Sequence, residues 1–282
     1  MKDKNKGIIY ISISALMFSL MAVFVKLTPN IPVAEKIFFR NFLALVPILI
    51  NVKNTDISLK PNNTKLVILR STFGLLGIFA YYTALELLNL ADAVILNKLS
   101  PFFVLILSFL FLKEKISKKQ IYALILALIG ALLVIQPKFD LSIVPTLIAV
   151  LSGFLAGCSY TTVRKLSESD HPLIIVFYFA LITTIAMIPI MIFNNQFVIP
   201  TLKQFIFLSM IALCALIAQL FMTNAYRHAP AGELAIYSYL NIIFSLIFGI
   251  IIWSEIPNIV TFTGTIFILS GGYINYISKK KA

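Results

Sequence analysis

Long runs of apolar residues alternate with short polar connections along the whole chain. A helix that crosses a bilayer needs about 20 mainly apolar residues, and ten segments have a suitable length. They lie at 7–26, 33–51, 66–88, 92–112, 119–136, 143–164, 173–193, 202–226, 232–253 and 258–277. The pattern therefore predicts an all-α integral membrane protein with ten transmembrane helices.

The second half of the chain repeats the polar pattern of the first half. A shift of 141 residues aligns 84–114 with 225–255 and brings Lys98 opposite Tyr239. Five spans per repeat is an odd number, so the second copy is inverted in the membrane. Inverted repeats are typical of secondary transporters, whose substrate binds near the midplane between the repeats. We therefore expect two inverted five-helix repeats around a central cavity.

Composition agrees with a membrane protein: 60% of the residues are hydrophobic and only 12% are charged, against about 25% charged in soluble domains. The net charge of +12 does not indicate a nucleic-acid partner, because the basic residues separate apolar runs and do not form one basic face. No catalytic, nucleotide-binding or metal-binding motif occurs. We expect no cofactor and no metal.

The basic residues also predict the orientation. With the N-terminus inside, 16 Lys and Arg residues fall in cytoplasmic segments and four at the outer ends. Because positive residues are retained on the cytoplasmic side, we expect both termini in the cytoplasm and the chain in the inner membrane. The expected partners are the lipid bilayer and a small-molecule substrate, and the pattern is compatible with a monomer or a homodimer.

Lys98 lies inside the fourth span, three residues before Pro101. A charge at that depth costs ~2.5–3.5 kcal/mol on insertion scales. Its long stem can lift the ammonium to the headgroups, or the ammonium can line a cavity. Pro101 has no N–H for the carbonyl of Asn97, and freed backbone at membrane depth must be buried in protein or line a cavity. The proline thus predicts a helix break beside Lys98.

Polar side chains follow one another along the fourth and ninth spans. The shift of 141 pairs Asn97 with Ser238 and Ser100 with Asn241, and it places Tyr239 opposite Lys98. Two such stripes at equivalent depth can form two walls of one binding site. They can equally form hydrogen bonds between packed helices, as polar residues in membranes commonly do.

Other polar residues within the spans are further candidates. Arg40 either lines the cavity or forms a structural ion pair, because a permanently charged residue is rarely buried alone. Tyr82, Tyr160 and Gln219 can offer polar groups from otherwise apolar spans. Arg70, near the inner end of the third span, is expected to extend towards the headgroups.

Three carboxylates are candidates for coupling or gating. Asp92 and Glu233 open the fourth and ninth spans, where a helix dipole favours negative charge; proton coupling is the alternative. Glu86, near the outer end of the third span, is a possible partner of Lys98 or Lys26.

Several stretches together carry a family resemblance: "FFRNFLALVPILI" (38–50), "YYTALELLNLADAVILNKLSPFFVLILSFLFLKEKI" (81–116) and "GALLVIQP" (130–137). With them the chain resembles the drug/metabolite transporter superfamily, specifically the EamA-type ten-span transporters, as two EamA repeats at 8–136 and 143–277.

The second half departs from the family pattern. Ile242 stands where a proline is expected, and Ser254 precedes Glu255 where the family usually has glycine. The resemblance implies a cavity formed mainly by the third, fourth, eighth and ninth spans with the first and sixth. It also implies alternating access, which we expect to proceed by rocking of the two halves.

The resulting expectation is a secondary transporter that exports an amino acid or similar small metabolite bearing an anionic group, since the Lys98 ammonium attracts a carboxylate in a low dielectric. An importer of an anionic or nucleotide-like metabolite is an alternative that needs Arg40 to converge with Lys98. A multidrug exporter needs a Lys98–Glu86 pair. A non-transporting membrane enzyme or sensor needs a catalytic constellation, which the sequence lacks.

Overall fold

The computed structural model describes residues 2–54, 58–112, 117–135, 143–166, 169–193, 197–228 and 237–280, and no β-strand occurs in these ranges. The helices of the first half are α1 (Lys2–Lys26), α2 (Val33–Asn54), α3 (Thr64–Leu87), α4 (Leu90–Asn97), α5 (Ser100–Leu112) and α6 (Lys118–Ile135). Those of the second half are α7 (Val144–Leu166), α8 (Pro172–Phe193), α9 (Leu202–His228), α10 (Leu240–Trp253) and α11 (Ile259–Lys280).

Six stretches of the described chain are long and apolar enough to cross a membrane. They are Asn5–Lys26, Thr64–Leu87, Leu90–Phe111, Val144–Leu166, Pro172–Phe193 and Leu202–Ala225. The all-α membrane class is therefore confirmed. The number of ten spans stays a prediction, and the start of the ninth predicted segment, 232–236, lies outside the described residues.

The fourth predicted segment is a broken helix. The break between α4 and α5 lies at Lys98 and Leu99, where Pro101 has no N–H to continue the helical hydrogen bonds. Lys98 has φ −74° and ψ 8°, and its own N–H still donates to the carbonyls of Val94 and Ile95, at 3.0 and 3.1 Å. The last turn of α4 is thus tightened before the chain re-enters a helix.

A turn at Tyr239 interrupts the helix in the second half as well. Residues 237 and 238 are helical, Tyr239 is a turn residue with φ −73° and ψ −12°, and α10 starts at the next residue. Tyr239 is the position that the shift of 141 aligns with Lys98, although Ile242 replaces the proline. Tertiary packing therefore produces a break there that the local sequence does not require.

The two halves of the chain interleave. The most extensive helix contacts join α1 to α9, α6 to α11, α3 to α7 and α2 to α8, so each pairs a helix of one half with a helix of the other. Exchanging equivalent helices of the two halves converts the α1–α9 contact into α3–α7 and leaves α2–α8 and α6–α11 unchanged. This exchange symmetry is what two repeats with the same fold produce, and the inversion of the second repeat stays a prediction.

Glycines set the closest of these contacts. A Cβ added to Gly153 on α7 would lie 3.0 Å from the Leu96 carbonyl oxygen and 3.1 Å from that of Asn97. The backbone of α7 therefore packs directly against the helix break. On the other side of the molecule, Gly130 and Gly264 bring α6 and α11 together, and a Cβ on either would lie 2.6 Å from the carbonyl oxygen of the other.

Gly130→Ala is expected to destabilise the protein by about 1–3 kcal/mol, because the added methyl group meets a backbone oxygen that cannot rotate away. Gly249→Ala is the matched control, since its Cβ would have no neighbour nearer than 3.4 Å and alanine favours the helix. Thermal unfolding in detergent measures both. Equal midpoints for the two variants would contradict the close α6–α11 contact.

Candidate functional site

A cavity of about 80 Å³, lined by apolar as well as polar and charged residues, lies between helices of both halves, which is room for several water molecules. It is lined by six residues that the sequence analysis names: Arg40, Asn97, Lys98, Tyr160, Gln219 and Asn241. The residues that the sequence analysis did not propose for this role include Arg70, Tyr81, Ser159 and Phe179. The cavity thus includes α2 and α8 as well as the helices that the family resemblance implies.

Lys98 lines this cavity at the break between α4 and α5. No described residue forms a hydrogen bond or ion pair with its Nζ. Its neighbour Asn97 donates from Nδ2 to Ser152 Oγ on α7, at 2.9 Å, and this bond fixes the end of α4. The position favours the cavity interpretation of Lys98 over extension to the headgroups.

Two arginines share the ring of Phe179. The guanidinium carbon of Arg70 lies 3.8 Å from the ring centroid and that of Arg40 lies 5.5 Å from it. A cation over an aromatic face is stabilised by the quadrupole of the ring. Arg70 is 2% exposed, so the expectation that it extends towards the headgroups is wrong. The ring of Phe179 instead stabilises the buried guanidinium of Arg70 beside the cavity.

The hydrogen-bonding capacity of both guanidiniums is only partly used. Arg40 Nη1 donates to Asn41 Oδ1 at 2.9 Å, whereas Arg40 Nε and the Nε and Nη1 of Arg70 have no hydrogen-bond partner in the described structure. No described carboxylate pairs with either arginine, which leaves cavity lining as the interpretation of Arg40. Tyr160 lies within electrostatic range of both.

No carboxylate is among the described residues that line the cavity. Glu86 forms an ion pair with Lys36, so the expected pairing with Lys98 or Lys26 is wrong. Asp92 lies in the first turn of α4, where the helix dipole favours it. Glu233 lies outside the described residues.

Glu255 joins several segments at one end of the molecule. Glu255 pairs with Lys26 at the end of α1 and accepts the backbone N–H of Leu90 at 2.8 Å. Lys26 also donates to the Leu88 carbonyl at 3.1 Å. We call Lys26, Glu255, Leu88 and Leu90 the end cluster; it joins α1, the α3–α4 connection and the end of α10.

Ser254 positions Glu255 in this cluster. It has φ 55°, a left-handed conformation that glycine adopts most easily. The position is the one where the family pattern expects glycine, so the backbone shape is retained although the residue differs. The N–H of Glu255 completes the helix end by donating to the Gly249 carbonyl at 3.1 Å.

Four of the predicted site residues do not line the cavity. Tyr82 is fully buried in the apolar core, and its hydroxyl has no described partner. Ser100 is buried with its carbonyl against Gly157. Tyr239 packs against Phe102, at 6.5 Å between ring centroids, and Ser238 is half-buried.

Asn241 touches the cavity and also joins two helices. Its Nδ2 donates to Ser19 Oγ at 2.6 Å and to the Ala15 carbonyl at 3.0 Å. Ser245 Oγ lies 3.3 Å from Ser19 Oγ. Asn241 therefore serves helix packing against α1, as Asn97 serves packing against α7, and the role of the two stripes in binding stays a prediction.

The chain matches one family model and several known transporters. The model of the EamA-like transporter family matches residues 5–136 and 144–277. The chain belongs to the EamA-like transporter family. The pseudopaline exporter of Pseudomonas aeruginosa is 32% identical to it, over 94% of each chain.

More distant relatives are also transporters. Solute carrier family 35 member G1 of Mus musculus is 29% identical, over 89% of this chain and 73% of its own. An uncharacterized transporter of Helicobacter pylori is 26% identical, over 95% and 93%. These relatives are transporters and not enzymes, and this EamA protein is a multi-pass membrane transporter.

A solved crystal structure shares the fold. It superposes with a TM-score of 0.76 over 99% of this chain and 100% of its own, at 15% identity. The two proteins therefore share the arrangement of helices, and at this low identity the likeness concerns the fold alone.

Ala156, on the cavity wall, provides a test of the charge inside. In a background with Cys158→Ala and Cys214→Ala, Ala156→Cys is expected to react at least about tenfold faster with an anionic than with a cationic methanethiosulfonate, because a cationic cleft concentrates anions. The rates are corrected for the intrinsic reactivity of each reagent.

Ala84→Cys is the matched control, since Ala84 is 0% exposed and lies outside the cavity lining. It is expected to remain unlabelled. Equal rates of the two reagents at Ala156→Cys would contradict a positively charged cavity.

Proposed function

We propose that this EamA-family protein is a secondary transporter of the cytoplasmic membrane that exports a small metabolite bearing an anionic group by alternating access. The observation that carries the proposal is a cavity lined by Arg40, Arg70 and Lys98 without a carboxylate among its described lining residues. In a low dielectric these charges attract an anion strongly and repel a cation. An amino acid or a similar metabolite is the substrate that the sequence analysis favours.

Two alternatives differ in their support. An importer of an anionic or nucleotide-like metabolite needs Arg40 and Lys98 at one site, and both line this cavity, so it remains the second candidate. Export is preferred because the relative from Pseudomonas aeruginosa is named an exporter. A multidrug exporter of cations loses its support, because Glu86 pairs with Lys36 and leaves Lys98 uncompensated.

The packing of the helices limits how the protein can move. Rocking of the intact sequence halves would separate α1 from α9 and α3 from α7, which are among the most extensive contacts. We therefore replace that expectation with a motion in which α1 moves with α9 and α3 moves with α7. Interfaces that are smaller, such as that between α4 and α10, can then change at lower cost.

The end cluster is the proposed closure on the outer side. With both termini in the cytoplasm, Lys26 and Glu255 lie at the outer ends of their helices. Their ion pair joins a helix of each half, so opening the outer side requires breaking it. The present conformation then has its outer end closed over the cavity.

Lys98→Gln is expected to reduce anion counterflow in proteoliposomes by more than about tenfold, since a hydrogen bond to a charged group is worth ~1.5–3 kcal/mol. Glutamine keeps the length and polarity of the side chain without its charge. Lys60→Gln is the matched control, because Lys60 is exposed outside the spans. Normal counterflow in a folded Lys98→Gln variant would overturn the role of the cavity as an anion site.

Lys26→Gln and Glu255→Gln are each expected to favour the outward-open state by about fivefold, the shift that ~1 kcal/mol produces. The measurement is the labelling rate of Ala156→Cys by an impermeant reagent added outside the cell. The exchanged pair Lys26→Glu with Glu255→Lys should restore the slow rate in part, because it renews the ion pair but not the hydrogen bonds to Leu88 and Leu90. Unchanged labelling in both single variants would show that the end cluster does not close the outer side.

A further inference from the structure

The positive charges in the cavity occupy two distinct places. Arg40 from α2 and Arg70 from α3 lie against the same ring, that of Phe179 on α8. Lys98 stands at the break between α4 and α5, where the backbone of α7 approaches at Gly153. The cavity therefore has a guanidinium pair in one place and a single ammonium in another.

The two places suit different contacts with an anion. A guanidinium offers a rigid fork of N–H groups that matches a carboxylate or phosphate, whereas an ammonium is a compact point charge with rotatable donors. The Nε atoms of Arg40 and Arg70, together with Arg70 Nη1, are buried without a described partner. Buried donors without a partner cost free energy, and a turn of either guanidinium towards an anion in the adjoining cavity would give them an acceptor.

Charge balance distinguishes one class of substrate from another. The cavity carries three formal positive charges and no negative one among its described lining residues. A zwitterionic amino acid leaves this sum unchanged, and its ammonium adds a repulsive charge that no described carboxylate at the cavity offsets. A compound with one anionic group leaves two cations uncompensated.

We infer that the transported substrate carries at least two separate anionic groups, one held by Arg40 and Arg70 and another held by Lys98. This inference rests on the proposed function and narrows its substrate class from a metabolite with an anionic group to a multiply charged anion such as a di- or tricarboxylate. Arg40, Arg70 and Lys98 are then the residues that determine specificity, because a ligand with two anionic groups can contact both places and a ligand with one cannot.

The test uses the purified full chain in proteoliposomes, with Ala156→Cys in the cysteine-free background as the reporter. N-ethylmaleimide, a neutral reagent, labels the cavity while propane-1,2,3-tricarboxylate, succinate, butyrate or L-leucine competes at equal ionic strength. We expect succinate and the tricarboxylate to protect at similar concentrations, and butyrate only at concentrations about tenfold higher, because butyrate loses one of the two charge contacts. L-leucine is expected to protect no better than butyrate.

Charge-removing variants assign the effect to the three residues. Lys98→Gln is expected to abolish the advantage of succinate over butyrate and Arg70→Gln to reduce it, while protection by butyrate changes little in both. Arg70→Lys keeps the charge and should keep the order of the ligands, which provides a result even where Arg70→Gln fails to fold. Lys60→Gln, an exposed charge, should leave all four concentrations unchanged.

Two results would overturn the inference. One is protection by butyrate or L-leucine at concentrations equal to or below that of succinate, and the other is no protection by any of the four compounds. Failure of the proposed function is separate: it would appear as anion counterflow that is equal in wild type, Lys98→Gln and protein-free liposomes. A transporter that prefers monocarboxylates would thus contradict the inference without contradicting the proposed function.

Discussion

Positive charge buried without a described carboxylate beside it is the constraint that organises this protein. An ion taken from water into a low dielectric pays a large desolvation cost, which only a partner, a polar cavity or an aromatic face can offset. Arg40 and Arg70 have the ring of Phe179, and Lys98 has the cavity itself. The interior must therefore stay polar and accessible at this point, although most of the surrounding residues are apolar.

The placement of the carboxylates reinforces this constraint. Glu86 and Glu255 pair with Lys36 and Lys26, and Glu35 accepts the backbone N–H of Val198 at 3.1 Å. Each of these acids is occupied at the end of the molecule where α1 and α3 terminate. The same few charges thus hold that end together and leave the cavity with its positive field, which is the property that the proposed transport of anions requires.

The architecture that holds the cations depends on contacts between the halves of the chain. The break beside Lys98 packs on glycines of α7, and the equivalent turn at Tyr239 precedes a helix whose Asn241 bonds to α1. Neither half has a complete cavity by itself, because α2, α3 and α4 of the first half face α7, α8, α9 and α10 of the second. The proposed motion preserves the extensive contacts and alters the smaller ones, which is why it does not treat the intact halves as rigid bodies.

Local sequence determined the features that depend on one helix alone. Apolar runs of about 20 residues require membrane helices, Pro101 removes a hydrogen-bond donor and breaks the fourth one, and the cost of an intramembrane charge singled out Lys98. These conclusions needed no knowledge of which helices are neighbours.

Tertiary structure alone decided which side chains meet. Neighbouring residues on a helix point about 100° apart, so the rotation of α3 puts Tyr81 on the cavity and Tyr82 in the core. Arg70 turns inward because Phe179, more than a hundred residues away in the chain, lies opposite it. Glu86 pairs with Lys36 for the same reason. The partner of a side chain depends on which helix packs against its own helix. That packing results from the sum of many contacts between residues far apart in the chain.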